Sequence, residues 1–320
     1  MNNSIPLRRK PLVIAHRGAA GYLPEHTLVA KAYAYATGAD YLEQDVILTR
    51  DDVPVVFHDL VLDEVTDVAA RYADRRRSDG HWYVIDFDFE ELQSLRVHER
   101  INPSTGAMVY PGRFPEALNL RIHSLDEELA LIRGLNRSTG RRVGCFLEIK
   151  SPAWHRTEGK DLSPVILESL ARFGHTGPEG EVVLLGFDSR ELQRIRNELG
   201  CRLRLLQLLG ENEWLESDDD FDAMRTPAGL AAVARYAFGI GPWVSQIVSW
   251  PAAGSGPVCS ALVADAHAAG LEVHPYTFRA DDLPEHAPDA DALHQALFES
   301  AGIDGLISDF SDLTLRYLGR

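Results

Sequence analysis

Apolar and polar positions along this chain follow two periods. Short apolar runs of buried-strand type recur at 11–15, 143–149, 182–187, 203–208, 237–240, 271–277 and 306–307. Between them, one-sided apolar patterns predict helices over 164–173, 190–199, 227–236, 257–269, 289–301 and 311–318. Upstream, 25–37 reads as a helix with Leu28, Ala32 and Tyr35 on its apolar side and Gly38 as its stop. Ser124 with Glu127 three residues on is a capping-box pattern, which predicts a helix through about Leu135. Strands that alternate with helices form a parallel sheet, and this many units predict an α/β fold of the TIM-like (β/α)8 barrel type.

Nine strand candidates compete for eight places, and the stretch 41–59 (YLEQDVILTRDDVPVVFHD) accounts for the surplus. Its two apolar runs are joined by Thr49-Arg50-Asp51-Asp52, a link too short for a helical crossover. The runs should therefore pair antiparallel, one as a barrel strand and one as an arm folded back over the barrel mouth. Alternation points Glu43 and Asp45 to one face. A turn centred between Arg50 and Asp51 would set Glu43 opposite His58 and Asp45 opposite Val56. Beyond the arm the pattern loosens into a charge run with Trp82, Tyr83, Phe87 and Phe89, read as an ordered subdomain inserted over 59–115 in a single domain spanning 1–320. The acidic segment 211–222 reads as a solvated excursion, and the Gly- and Pro-rich segment 241–256, with Trp243 and Trp250, as a long loop at a strand end.

Charge narrows the partners. With a net charge of −16 over 320 residues, the chain is poorly suited to a nucleic-acid backbone or an anionic membrane surface. A small-molecule substrate is the expected partner, with a homodimer allowed, and an anionic substrate would need local cations. Cys145, Cys201 and Cys259 are too few and too scattered for a disulfide framework or a zinc site, so free thiols are expected. No run approaches the roughly 20 apolar residues of a membrane span. The apolar run before His16 is shorter than the roughly 7–15 residues of a signal-peptide core. The sequence as it stands reads as cytoplasmic, or as periplasmic if a signal peptide has been trimmed.

Barrel enzymes carry their chemistry at the carboxyl ends of the strands, where this chain places His16 and Arg17, Glu43 and Asp45, His58 and Asp59, Glu148 and Lys150, Asp188, and Ser308 and Asp309. Buried strand ends seldom hold charge without a partner. Glu43, Asp45 and Glu148 form an oxygen-only set that suits a hard divalent cation, Ca²⁺ or Mg²⁺, better than zinc. Any one of them alone is equally explained by an ion pair with Arg17 or Lys150. His16 and His58 suit a general acid and base, although a single strand-end histidine is more often structural. Arg17 and Lys150 would supply the positive charge that holds a phosphate. Tyr276 and Phe278 either wall a pocket or pack in the core.

The motifs AHRG at 15–18, PEHT at 24–27, LEQDV at 42–46, PVVFHD at 54–59, LEIK at 147–150, YTFR at 276–279 and DGLISDF at 304–310 resemble the glycerophosphodiester phosphodiesterases, nearest to the bacterial GlpQ-type branch. The resemblance implies a TIM-like barrel with a small insertion and hydrolysis of glycerophosphodiesters to glycerol 3-phosphate and an alcohol. It also implies a divalent cation, Ca²⁺ with Mg²⁺ as the alternative, held by Glu43, Asp45 and Glu148. By the same likeness His16 and His58 are the catalytic pair and Arg17 and Lys150 contact the phosphate; Tyr276, weighed above as a pocket wall, joins them as a substrate-binding candidate. Many members have Asn where His26 stands and Pro where Ser311 stands. A second expectation keeps the site and changes the substrate, to that of a lysophospholipase D or phosphoinositide-type phosphodiesterase.

Overall fold

The computed structural model describes residues 10–116 and 118–320. Residues 1–9, part of the N-terminal stretch from which the compartment was read, lie outside the described residues. The strands in chain order are β1 (Leu12–Ala15), β2 (Tyr41–Leu48), β3 (Pro54–Val56), β4 (Gly144–Ile149), β5 (Val182–Gly186), β6 (Arg204–Leu209), β7 (Gly239–Pro242), the short pair β8 (Val248–Ser249) and β9 (Val258–Cys259), β10 (Glu272–Val273) and β11 (Gly305–Ser308). Eight of them lie side by side in the order β10-β7-β6-β5-β4-β2-β1-β11, every contact parallel. The run after β10 closes the ring: the amides of Asp304, Ile307 and Phe278 donate to the carbonyls of Val273, Pro275 and Ile307 at 2.9–3.0 Å. The chain is thus a nearly closed parallel barrel with helices around it, as its strand and helix periodicity predicts.

The helix starts and stops have local causes. Thr27 accepts a hydrogen bond from the Ala30 amide to cap helix Leu28–Thr37, and Gly38 ends that helix at φ 110°, a left-handed turn open to glycine. Ser124 and Glu127 form the expected capping box on helix Leu125–Thr139. The expected helix over 257–269 is shorter, Leu262–Ala268, because Val258 and Cys259 pair with β8 instead. Cys145, Cys201 and Cys259 are all free. Among the described residues no helix is long and apolar enough to cross a membrane.

The arm β3 pairs only with β2 in the sheet, antiparallel, as its short link requires. The register differs from the expected one by a residue: Val46 faces Val56 and Ile47 faces Val55, which leaves Asp45 level with Phe57 rather than Val56. The link between the paired Leu48 and Pro54 is one residue longer than the expected four, with Asp52 at φ 60° and the Thr49 hydroxyl accepting from the Val53 amide. Beyond the arm, Leu62, Val65, Trp82, Phe87, Leu92, Leu95 and others make a second hydrophobic cluster with Ile47, Val55 and Phe57 of the hairpin. Its apolar residues run on to Leu120 and Ile122, so this small core is contiguous with the barrel mouth at β2 and β3.

Candidate active site

Alternation along β2 sends Glu43 and Asp45 to the inner side of the strand, while Leu42, Val46 and Leu48 join the main core. On the adjacent parallel strand Glu148 stands level with Asp45. The three carboxylates each offer an oxygen within 4.8 Å of the others, and all three side chains are buried. Burial, then Asp45, pushes the Glu43 carboxyl up to about 8. Burial, with Asp45 adding to it, also raises Glu148. Burial acts on Asp45 in the same direction, but His58, Lys150 and His26 together hold it well below the usual carboxylate range. Lys150 lies 2.8 Å from Glu148, and a hard divalent cation would favour the ionised form of all three carboxylates. By donor type, spacing and charge, Glu43, Asp45 and Glu148 can hold such an ion.

The elements around this set hold it in place. The Arg17 amide donates to Glu43 Oε2 at 2.7 Å. That contact depends on a left-handed bend at Arg17 and Gly18 (φ 52° and 89°), where a Cβ on Gly18 would lie 2.9 Å from the carbonyl carbon of Ala30. His26, also left-handed at φ 54°, bonds Asp45 Oδ2 through Nε2 at 2.7 Å. His tolerates that backbone region better than most residues. His26 is thus buried behind Asp45. Behind β2, the buried Lys31 ammonium pairs with Glu128 at 3.0 Å and donates to the Glu43 carbonyl.

Both candidate histidines face this set, each backed by an aspartate. His16 leaves β1 next to Asp309, which leaves β11, and His16 Nδ1 lies 2.6 Å from Asp309 Oδ1. His58 Nδ1 lies 2.5 Å from Asp59 Oδ1. On the other side of each ring a cation approaches Nε2: Arg17 Nε at 3.2 Å from His16, and Lys150 Nζ at 3.4 Å from His58. These partners assign the Nδ1–H tautomer to both rings and leave each Nε2 able to take a proton. Burial, then Arg17, lowers His16 to about 4 and also lowers His58. His58 does not reach the site by standing opposite Glu43. Pairing with β2 ends at Phe57, and the chain bends there to bring the ring in.

A cavity of about 250 Å³ gathers all eight of the proposed site residues: His16, Arg17, Glu43, Asp45, His58, Glu148, Lys150 and Tyr276. The Tyr276 hydroxyl donates to the Leu209 carbonyl at 2.9 Å, so this residue presents its ring to the cavity, edge-on to Phe187 at 5.9 Å. Phe278, the other aromatic of that motif, is fully buried and stacks on His294 in the core. Asp188 caps helix Ser189–Asn197. Two wall residues, Trp214 and Glu216, come from the segment expected to be a solvated excursion. That segment turns inward after β6, where Trp214 packs against Trp243 with ring centroids 5.3 Å apart. A tryptophan inside an acidic run was the one sequence signal for it.

The sequence profile of the Glycerophosphoryl diester phosphodiesterase family matches residues 16–313. A glycerophosphodiester phosphodiesterase of Haemophilus influenzae is 40% identical over 98% of this chain and 91% of its own length. Another from Treponema pallidum is 37% identical over 97% of the chain and 92% of its own. Among solved structures, a putative glycerophosphoryl diester phosphodiesterase from Silicibacter pomeroyi superposes with a TM-score of 0.71 at 25% identity, covering 97% of this chain and 95% of that one. An Oleispira antarctica phosphodiesterase, solved with the product sn-glycerol-3-phosphate, shares the fold at a TM-score of 0.66 and 21% identity, each chain covered to 97%.

Proposed function

The chain belongs to the glycerophosphoryl diester phosphodiesterase family and is a glycerophosphodiester phosphodiesterase, and from that premise we propose that it hydrolyses glycerophosphodiesters to glycerol 3-phosphate and an alcohol with a divalent cation and a two-histidine acid/base pair. Glu43, Asp45 and Glu148 hold the cation, Ca²⁺ with Mg²⁺ as the alternative, and when bound it supplies Lewis-acid stabilisation of charge on the phosphoryl group. Arg17 and Lys150 bind the phosphate as the nearest cations of the cavity, which releases both Nε2 atoms from their present neighbours. Tyr276 and Phe187 wall the glycerol.

One histidine then takes the proton from the attacking oxygen, that of water or of the substrate's own glycerol 2-hydroxyl, as that oxygen bonds to phosphorus. The bond from phosphorus to the leaving oxygen breaks, and the second histidine, which takes up a proton at Nε2 once its cationic neighbour has turned to the phosphate, gives that oxygen the proton. After attack by the 2-hydroxyl, water opens the resulting cyclic phosphate to glycerol 3-phosphate with the histidine roles exchanged. The aspartates behind both rings keep them oriented through the exchange. Two aspartate-backed imidazoles opening on the same carboxylate-lined cavity are the observation that carries the reading. Replacing His16 or His58 with Ala should lower turnover of glycerophosphocholine by at least ~10²-fold with the fold intact. Near-normal turnover by either variant refutes the assignment.

A second reading, a lysophospholipase D or phosphoinositide-type phosphodiesterase, draws support from one observation. Trp214 is 41% and Leu215 83% exposed beside the cavity, an apolar rim that an acyl chain could cover. Release of choline from lysophosphatidylcholine faster than from glycerophosphocholine would favour it.

A further inference from the structure

A phosphodiester carries two arms on one phosphorus, and the site has two cavities that meet where that phosphorus would sit. The second, of about 180 Å³, shares His16, Arg17, His58 and Arg279 with the first. None of the three carboxylates lines it. Its outer wall comes from the segment between β3 and helix Leu125–Thr139, through Arg100, Tyr110 and Arg113. Resting on the reading above, we infer that this second cavity takes the leaving alcohol and that Tyr110 sets how large that alcohol can be. Glycerol, with hydroxyls suited to the cation, takes the first cavity.

The wall is built, with its charges paired. Arg100 lies 2.7 Å from Glu25 and 2.8 Å from Asp59, the partner of His58. Arg113, 6% exposed, lies 2.6 Å from Asp309, the partner of His16, and 2.9 Å from Asp281. The inserted segment therefore grips both aspartates that orient the histidines, and the cavity stands between those two grips. The Arg113 guanidinium carbon lies over the Tyr110 ring, 3.8 Å from its centroid.

The lining selects a class of alcohol. It is arginine, carboxylate, imidazole and one phenol ring, with Ala20 the single aliphatic side chain, so it favours a polar alcohol over an acyl chain. A volume of about 180 Å³ holds roughly six water-sized groups, the scale of ethanolamine, choline or glycerol. Each of the four arginines that line it is paired with a carboxylate, which tempers their field toward a cationic alcohol.

The test is a panel of glycerophosphoethanolamine, glycerophosphocholine and glycerophosphoinositol on the Ca²⁺-loaded full chain, with kcat/KM for each and the inhibition constant of glycerol 3-phosphate. Tyr110→Trp, which narrows the cavity, should lower the inositol-to-ethanolamine ratio of kcat/KM by about tenfold. Tyr110→Ala should raise it, and inhibition by glycerol 3-phosphate should change less than twofold in both. Ratios unchanged within twofold in both variants would overturn the inference, as would glycerol 3-phosphate inhibition that weakens in step with the inositol diester. Should Tyr110→Trp fail to fold, Ala20→Val narrows the same cavity from the barrel side and carries the same expectations. Failure of the catalytic reading shows separately, as turnover retained by the His16→Ala and His58→Ala variants.

Discussion

Glu99 sits behind the wall of the second cavity with 7% of its surface exposed and its Oε2 atom without a hydrogen-bond partner. Burial pushes its carboxyl up to about 7, against the pull of the Arg100 backbone amide and the Arg113 charge. A carboxyl whose folded value lies above its unfolded one binds its proton more tightly when folded. The stability it contributes is complete below about 4.5 and lost as pH rises through about 7. Glu99→Gln keeps the shape of the protonated form and should stabilise the protein at pH 8 by up to about 3 kcal/mol, with little gain at pH 4.5. Urea midpoints of both proteins at the two pH values check this. An equal gain at both would mean that Glu99 ionises without cost.

At the scale of elements, helix Leu125–Thr139 does two separable things. Its start is local: the Ser124 capping box satisfies amides that would otherwise be orphaned, and Ser124→Ala should cost about 1 kcal/mol. Its first turn also carries Glu128, fully buried, which pairs with Lys31 of helix Leu28–Thr37 and with His123 at 2.7 Å. Glu128→Ala would strand the Lys31 ammonium in a dry interface and should cost roughly 3–5 kcal/mol. Melting curves should rank the two variants in that order. A Glu128→Ala variant as stable as Ser124→Ala would mean that water reaches Lys31. The same network touches the carbonyl of Glu43, so the packing of two outer helices bears on one of the three carboxylates.

For the whole molecule, the largest expected response is to the cation. Ca²⁺ at about 100 times its Kd should add about 2.7 kcal/mol by mass action, roughly 4 °C in Tm for a domain of this size. A chelator should reverse the shift, and Glu148→Gln should shrink it. A Tm indifferent to Ca²⁺ and Mg²⁺ would remove Glu43, Asp45 and Glu148 from the role of ligands. The sequence by itself determined the barrel, its helix caps, the arm and the residue types at the strand ends, because period, capping and turn length act over a few neighbouring residues. It could not set the hairpin register, where a single residue in the turn moved Asp45 from Val56 to Phe57. Nor could it pair His16 with Asp309 across 293 positions, or Arg113 with that same aspartate across 196. Those contacts, and the inward turn of Trp214 and Glu216, exist only once the ring closes and the inserted segment packs on its mouth. No short-range pattern marks them, since closure brings together side chains that the chain keeps far apart.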